Sequence, residues 1–494
     1  MTYIETLIRT LEEAPAERPV LRFQNRDMTA SKFLDLISGL VDRLSIYGIA
    51  PGHLVGIIAP NRPEALATRY AAHLLGAATC FLSSPSKAEV RKQLIHDIAP
   101  DLLVAFPGTD HLVPTGMDCA TLVVDIDVVV GAQRRPFVSL AQNDDLAVVV
   151  SSGGSTGVPK GSCRDFRSYT HAVSAVSRPD RRQLINGPLA YLSQILVDVT
   201  LMNGGYVVMR NCFDAADTLA QIESQKITDL FLVEPQLFEL IDHADVAMTD
   251  LSSLRYLVHI GASAPEVLRK RAFANLGSRL MHTYGASEMG LVSALSRDDY
   301  DQDFTSAGRL MAGVAVRLRG LDGALTDRWT PGIIEVNAPG MAQGYRNRAD
   351  LATKAFEGGW YRSGDLGYLD DQGRLHIMGR ATEIEKIGTR WITPTMMENV
   401  LCELACVRYA IVLIDLAQNR RIAAIEPRPA GALGEDQCRR VIEERFSREI
   451  ANSMEFLAYT RVPRTEQGKP DRAQIWADAN YAPKLSASES LERR

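Results

Sequence analysis

The chain lacks the cysteine spacing of a metal knuckle or a redox pair. Its seven cysteines (80, 119, 163, 212, 402, 406 and 438) are odd in number and include no Cys-x-x-Cys. That argues against a disulfide framework and for reduced thiols, so a cytoplasmic protein is expected. Cys402 and Cys406 are four apart on a predicted helix and share a face, which fits packing. The histidines build no His-x-x-x-His, so no protein-held zinc is expected. No apolar run approaches the ~18 residues of a membrane span. Glu5, Glu12 and Glu13 precede any apolar core, so no signal peptide is expected. Excess positive charge is missing too. A net charge of −6 leaves no footprint for nucleic acid or an anionic membrane.

What is present is an ordinary globular composition, 46% hydrophobic and 23% charged over 494 residues, enough for two to four domain-sized units. Ile4, Leu7, Ile8 and Leu11 form a helical stripe. Residues 30–47 read as a longer amphipathic helix stopped by Gly48 and Pro51. Residues 54–58, 102–106 and 121–124 read as buried strands, with a helix between the first two ending at Leu75. Strands spaced by helices predict a mostly parallel α/β sheet. Nothing before residue 145 is expected to be catalytic.

Val148-Val-Val-Ser-Ser-Gly-Gly-Ser-Thr-Gly-Val-Pro-Lys-Gly161 is a strand that empties into a small, hydroxylated loop and a lysine. Glycines let backbone N–H groups close on an anion. Ser151, Ser152, Ser155 and Thr156 add hydroxyls, and Lys160 adds charge. This is phosphate-cradle chemistry. It is not a Walker A loop, because Pro159 precedes Lys160 and Gly161 follows it. Residues 165–176 read as a helix whose start would lend its dipole to the anion. Three further segments follow: Tyr284-Gly-Ala-Ser-Glu288, Tyr361-Arg-Ser-Gly-Asp-Leu366 and Pro463-Arg-Thr-Glu-Gln-Gly-Lys-Pro470.

In this order the four segments closely resemble the motifs of the adenylate-forming superfamily. That superfamily comprises acyl-CoA and aryl-CoA synthetases, stand-alone adenylating enzymes of peptide synthesis, and luciferases. The resemblance implies an α/β fold: an N-terminal core at 1–379 of three subdomains, two α/β and one β-rich. A hinge at 380–382 and a small mobile α+β lid at 383–494 complete it. It implies nucleotide contacts from Ser152, Gly153, Gly154, Ser155, Thr156, Gly157 and Lys160 to phosphate. Gly261, Ala262, Ser263, Tyr284 and Gly285 would lie around adenine and the reacting carbon, with Asp365 and Arg380 at the ribose. Ser287 would reach the α-phosphate, Glu288 would hold Mg²⁺, and Lys469 would bridge the two reacting anions. Asp365 as a plain turn residue is the competing reading.

Tyr191 stands where the family has a histidine lining the acyl site; it either faces substrate or packs in the core. His259 and Ile260 are expected to wall that pocket together with Met289, a satisfied core histidine being the alternative for His259. Gly153-Gly154, Arg164 and Tyr169 match the aryl-acid branch. Amino-acid-activating relatives place an Asp about a dozen residues before a Gly-Gly pair. Here only Asp198 precedes Gly204-Gly205, too close, so an α-amino acid substrate is not expected. The hinge position is Thr382 rather than Asp or Lys, and the run from Gly379 to Gly388 is one residue short of the family's. Residues 435–450 read as one charged helix.

The implied reaction is attack of a small carboxylic acid on ATP·Mg²⁺, giving acyl-AMP and pyrophosphate. The acyl group then passes to the thiol of coenzyme A or of a phosphopantetheine on an acyl carrier protein. A monomer or homodimer is expected. A nucleotide-binding protein without the full cycle, suggested by the short hinge, and a luciferase-type oxygenase are the other readings.

Overall fold

The computed structural model describes residues 1–84, 87–117, 119–125, 134–152, 160–175, 178–260, 264–296, 299, 303–428 and 433–481. Strands Leu54–Ala59, Ala78–Ser83 and Leu102–Ala105 are buried almost throughout, as strands of a parallel sheet covered on both faces must be. They pair in parallel within a seven-stranded sheet. Its far edge adds Leu146–Ser152, Lys160–Asp165 and Gly344–Tyr345, the last two antiparallel. A nine-stranded sheet holds Tyr256–Ile260 and Leu280–Ala286 near one edge. Its other end includes the chain's first strand, Pro19–Phe23, paired in parallel with Tyr206–Met209. A third sheet of five antiparallel strands is built around Trp360–Leu369.

The N-terminal helix Tyr3–Glu13 buries Tyr3, Ile4, Leu7, Ile8 and Leu11, the stripe its periodicity predicts. Those residues join one apolar cluster with side chains of both large sheets. Inside it lies a charged group. Arg69 donates to both oxygens of Asp198 at 3.0 and 2.8 Å, and the Tyr70 and Tyr169 hydroxyls each donate to that carboxylate at 2.6 Å. Both charges are fully buried. Asp198 and Tyr169 therefore belong to the scaffold.

Two sequence expectations change. The helix after the glycine-rich loop runs Phe166–Val173, and a strand, Lys160–Asp165, separates it from the loop. Ser152 pairs with Lys160 and Leu146 with Asp165, so the loop is a hairpin connection and the helix begins at the opposite end. Five residues of strand put about 17 Å between them, too far for a dipole felt within one turn. The helix's free N–H groups instead meet its own cap, the Asp165 carboxylate, at 2.7 Å from Ser168 N. The single helix read at 435–450 is two, Glu435–Arg445 and Arg448–Asn452. Ser447 leaves helical geometry and caps the second by accepting from Ile450 N.

Beyond Arg380 the chain makes a tight turn at Ala381–Glu383, with Thr382 exposed, and enters separate sheets. These are a hairpin, Glu385–Ile387 with Arg390–Ile392, and three strands, Val407–Asp415, Arg420–Pro427 and Met454–Ala458. This C-terminal part is seated on helices Glu234–Ile241 and Glu266–Leu276. Phe238 stacks on Tyr409 with centroids 6.3 Å apart, Val267 N donates to Asn399 Oδ1 at 2.9 Å, and Arg464 meets Glu239 at 2.6 Å. Met397, Leu401 and Tyr409 share one apolar cluster with Leu237, Phe238 and Leu268.

Candidate active site

The β-branched run of Leu146–Ser152 delivers the glycine-rich loop to the end of its strand. Gly153, Gly154, Ser155, Thr156 and Gly157 lie outside the described residues, as do Gly261, Ala262 and Ser263. Of Ser152 the backbone is described, paired with Lys160. The Lys160 ammonium sits 5.5 Å from the centre of the Tyr345 ring. The Tyr345 hydroxyl donates to Glu288 Oε1 at 3.2 Å. The exit of the loop is thereby tied to the second segment.

Tyr284 and Gly285 end the strand Leu280–Ala286, and Ser287, Glu288 and Met289 turn the chain into Gly290–Leu295. Gly290 has φ +70°, and a Cβ on Gly285 would lie 2.4 Å from the Gly290 carbonyl oxygen. The hairpin itself thus requires Gly285. Arg164, almost fully buried, braces the turn from behind. It donates to Ser287 O at 2.6 Å and Gly340 O at 2.7 Å. Burial pushes its guanidinium down to about 10, against the pull of Glu288.

Asp365 and Arg380 face each other in register across adjacent strands, Nε to Oδ1 3.3 Å. The Tyr284 hydroxyl donates to Asp365 Oδ2 at 2.6 Å, and Arg380 Nη1 donates to Ser363 O at 2.8 Å. Burial holds the Asp365 carboxyl above its usual range, while Arg380 opposes that shift.

Lys469 reaches the same place from the C-terminal part. Burial and the neighbouring Arg380 push its ammonium below the usual lysine range, while Glu288 and Asp365 pull it back. Its turn is closed by Thr465 N to Lys469 O and Gly468 N to Thr465 O, both 2.8 Å. Gly468 has φ +81°, and a Cβ there would lie 2.4 Å from Gln236 Nε2. Two carboxylates, Glu288 and Asp365, therefore share one locale with Lys469, Arg380, Arg164 and Lys160. The surplus of positive charge suits a polyanion.

Other expected pocket residues lie elsewhere. His259 and Ile260 are adjacent in a strand and point to opposite faces, so they cannot wall one pocket together. His259 is buried against His282, Nδ1 to Nδ1 2.8 Å, and burial pushes its imidazole down to about 3. It is a neutral core histidine. Met289 is buried in an apolar cluster with Val292, Leu318 and Ile334 and fills the β-rich subdomain. Tyr191 does face a recess, but its hydroxyl donates to Glu466 of the C-terminal part. Sequence reasoning missed Tyr345 and Glu466. Tyr345 is 57 residues from its partner Glu288, and Glu466 is 275 from Tyr191. Glu466 lies inside the recognised segment 463–470, which was the available signal; Tyr345 lies in none of the four segments.

Among the described residues one His/Asp group has the spacing to hold a metal: Asp303, Asp370 and His376. Arg374 already supplies the positive charge there, bonding Asp370 at 2.7 Å.

A mixed α/β core closed by a small C-terminal part, with a cation-rich site at their junction, defines a nucleotide-binding enzyme scaffold of the adenylate-forming kind. Comparison with known proteins agrees. The model of the AMP-binding enzyme family matches residues 7–346. The chain belongs to the AMP-binding enzymes. It is 27% identical to an indoleacetate–CoA ligase of Aromatoleum aromaticum, over 92% of this chain and 93% of that protein. It is 29% identical to a 2-succinylbenzoate–CoA ligase of Bacillus velezensis, over 80% of this chain and 81% of that one. The solved structure of the amide bond synthetase McbA from Marinactinospora thermotolerans superposes with a TM-score of 0.84 at 25% identity. That match covers 96% of this chain and 99% of that one. No helix among the described residues is long and apolar enough to cross a membrane.

Proposed function

We propose that the protein joins a carboxylic acid, aryl or acyl, to AMP and then passes the acyl group to the thiol of coenzyme A. The observation that carries this reading is that Lys469, on the C-terminal part, is buried within electrostatic reach of Glu288, Asp365 and Arg380 on the core. In the first step a carboxylate oxygen attacks the α-phosphorus of ATP, and pyrophosphate leaves. Such a displacement needs positioning and charge stabilisation rather than covalent help from the protein. Lys469 neutralises the two anions that approach each other. Asp365 offers two acceptors to the ribose hydroxyls, Tyr284 its ring to adenine, and the 152–160 loop its N–H groups and Lys160 to the phosphates. Ser287 reaches the α-phosphate.

The site also suits Mg²⁺. Glu288 Oε1 accepts one long hydrogen bond from Tyr345, which leaves its carboxylate lone pairs for a hard cation. Glu288 would hold the ion, and phosphate oxygens and water would complete its shell. Held there, the ion would supply positive charge against the leaving pyrophosphate. An α-amino acid is disfavoured, because Asp198 is sealed by Arg69, Tyr70 and Tyr169 and has no face for a substrate ammonium.

In the second step the small domain at 383–494 rotates about 380–382, and the thiolate displaces AMP. A second reading, with an amine as acceptor, rests on the likeness to an amide bond synthetase. The test is a panel of aryl, alkyl and amino acids assayed for pyrophosphate release, with and without coenzyme A, a phosphopantetheine carrier protein and amines. Release with an aryl or alkyl acid, and a thioester only with coenzyme A, is expected. No acid-dependent release would leave a nucleotide-binding protein without the cycle.

A further inference from the structure

Glu466 lies three residues before Lys469, on the same turn. That turn is closed by its own backbone hydrogen bonds and by pairing of Arg464 with Pro470. Whatever fixes one side of the turn fixes the other. On one side Gly468 is pressed against Gln236. On the other, the Glu466 carboxylate enters a recess of the core formed by Leu82, Ser83, Arg91, Ser151 and Tyr191, and accepts a hydrogen bond from the Tyr191 hydroxyl. Arg91 favours the charged carboxylate there, and its own guanidinium is held by Leu112 O at 3.0 Å. Tyr191 is ready-placed for this. It sits at a backbone kink, φ −129° and ψ −137°, just ahead of the helix Gln194–Met202. Ser151, on the recess wall, lies on the strand that feeds the glycine-rich loop.

From this geometry we infer that Glu466 is a positioning residue: its carboxylate, latched on Tyr191, sets the register of Lys469 over the adenylation site. The inference rests on the adenylation reading above. The latch is reversible by design of its environment. Burial raises the cost of the carboxylate's charge, and Tyr191, Ser83 and Arg91 offset that cost only while the turn is docked. When the turn leaves, Glu466 regains water and the Tyr191 hydroxyl is freed within the recess. The same movement that withdraws Lys469 thus opens this recess of the core.

The test compares Glu466→Ala, Glu466→Gln, Tyr191→Phe and the Glu466→Ala/Tyr191→Phe pair with the wild-type chain, by two measurements. The first is amide hydrogen exchange of residues 464–470 in the protein without substrate. Glu466→Ala and Tyr191→Phe are expected to speed it about 10- to 100-fold, the value of a hydrogen bond to a charged group. Glu466→Gln, which keeps an acceptor oxygen, restores most of the protection. The second is the split between half-reactions. Acid-dependent pyrophosphate release falls about 10- to 100-fold, and consumption of supplied acyl-AMP with coenzyme A stays within about twofold in Glu466→Ala. The double variant is no slower than either single one. Equal loss in both half-reactions, additive losses, or unchanged exchange would each overturn the inference. If the wild-type chain releases no pyrophosphate with any acid, the adenylation reading fails, and the exchange measurement still decides the latch. Should Glu466→Ala not fold, Glu466→Gln against Tyr191→Phe makes the same comparison.

Discussion

Lys469→Ala separates binding from chemistry. The ammonium feels the charges of Arg380, Glu288 and Asp365, and burial pushes its pKa down. Glu288 and Asp365 offset part of the cost of burial, and further negative charge arriving would offset more. In the proposed first step two anions meet, the substrate carboxylate and the α-phosphate. Losing one preorganised donor at such a point costs about 10²–10³ in rate, or roughly 3–4 kcal/mol of barrier. Nucleotide affinity falls much less, because Tyr284, Asp365, Arg380 and Lys160 remain, and the Asp365–Arg380 and Tyr284–Asp365 contacts do not involve Lys469. The assay is single-turnover pyrophosphate release beside equilibrium ATP binding. Slow release with near-normal binding is expected, and release at the wild-type rate would refute the assignment. The alkaline limb provides an independent check. A lysine with a lowered pKa loses its proton below the free value of about 10.4, so the first step should fade there before free lysine would titrate.

Glu398, pushed up to about 7 mainly by burial, faces the buried Glu234 of the core, which is raised by burial and by Glu398. Both favour the protonated form when the small domain is docked. The contribution of Glu398 is therefore complete below the free carboxyl range near ~4.3 and is lost as pH rises through about 7. Thermal melts from pH 5 to 8.5 should show this fall, and Glu398→Gln should flatten it; an unchanged slope in Glu398→Gln would count against the pairing. Asp198→Ala leaves Arg69 charged and alone in the core, and urea unfolding should show a loss of about 3–5 kcal/mol. A variant as stable as the wild type would contradict the buried network. Gly468→Ala meets both a left-handed φ and the Gln236 side chain. Pyrophosphate release should drop at least about tenfold, and Gln236→Ala in the same chain should recover only part, since the backbone cost remains. Full recovery would show that contact alone was at fault.

Elements set by local pattern were legible. The 3-4 spacing of Ile4, Leu7, Ile8 and Leu11 specified one buried helix face, and the run from Leu54 specified a covered strand. The segments carrying Lys469, Glu288 and Asp365 stood out in the sequence because their residue order is distinctive, and folding brings them within electrostatic reach of one another and of Arg380. The opposite faces of His259 and Ile260 were already implied by strand alternation, which an expectation of one shared pocket overlooked.

Tertiary structure alone decided the rest. A strand's partner depends on which apolar faces seal together, so nothing local pairs Pro19–Phe23 with Tyr206–Met209. The short strand Lys160–Asp165 is too brief to show a period, and it carried the following helix away from the phosphate loop. Asp198 became structural through three side chains, two of them more than a hundred residues distant. Glu466 gained its role from a hydroxyl on another part of the chain. Short-range order encodes backbone shape and chemistry in kind; which charges end up facing one another is settled by packing, because only folding brings their solvent-excluding walls together.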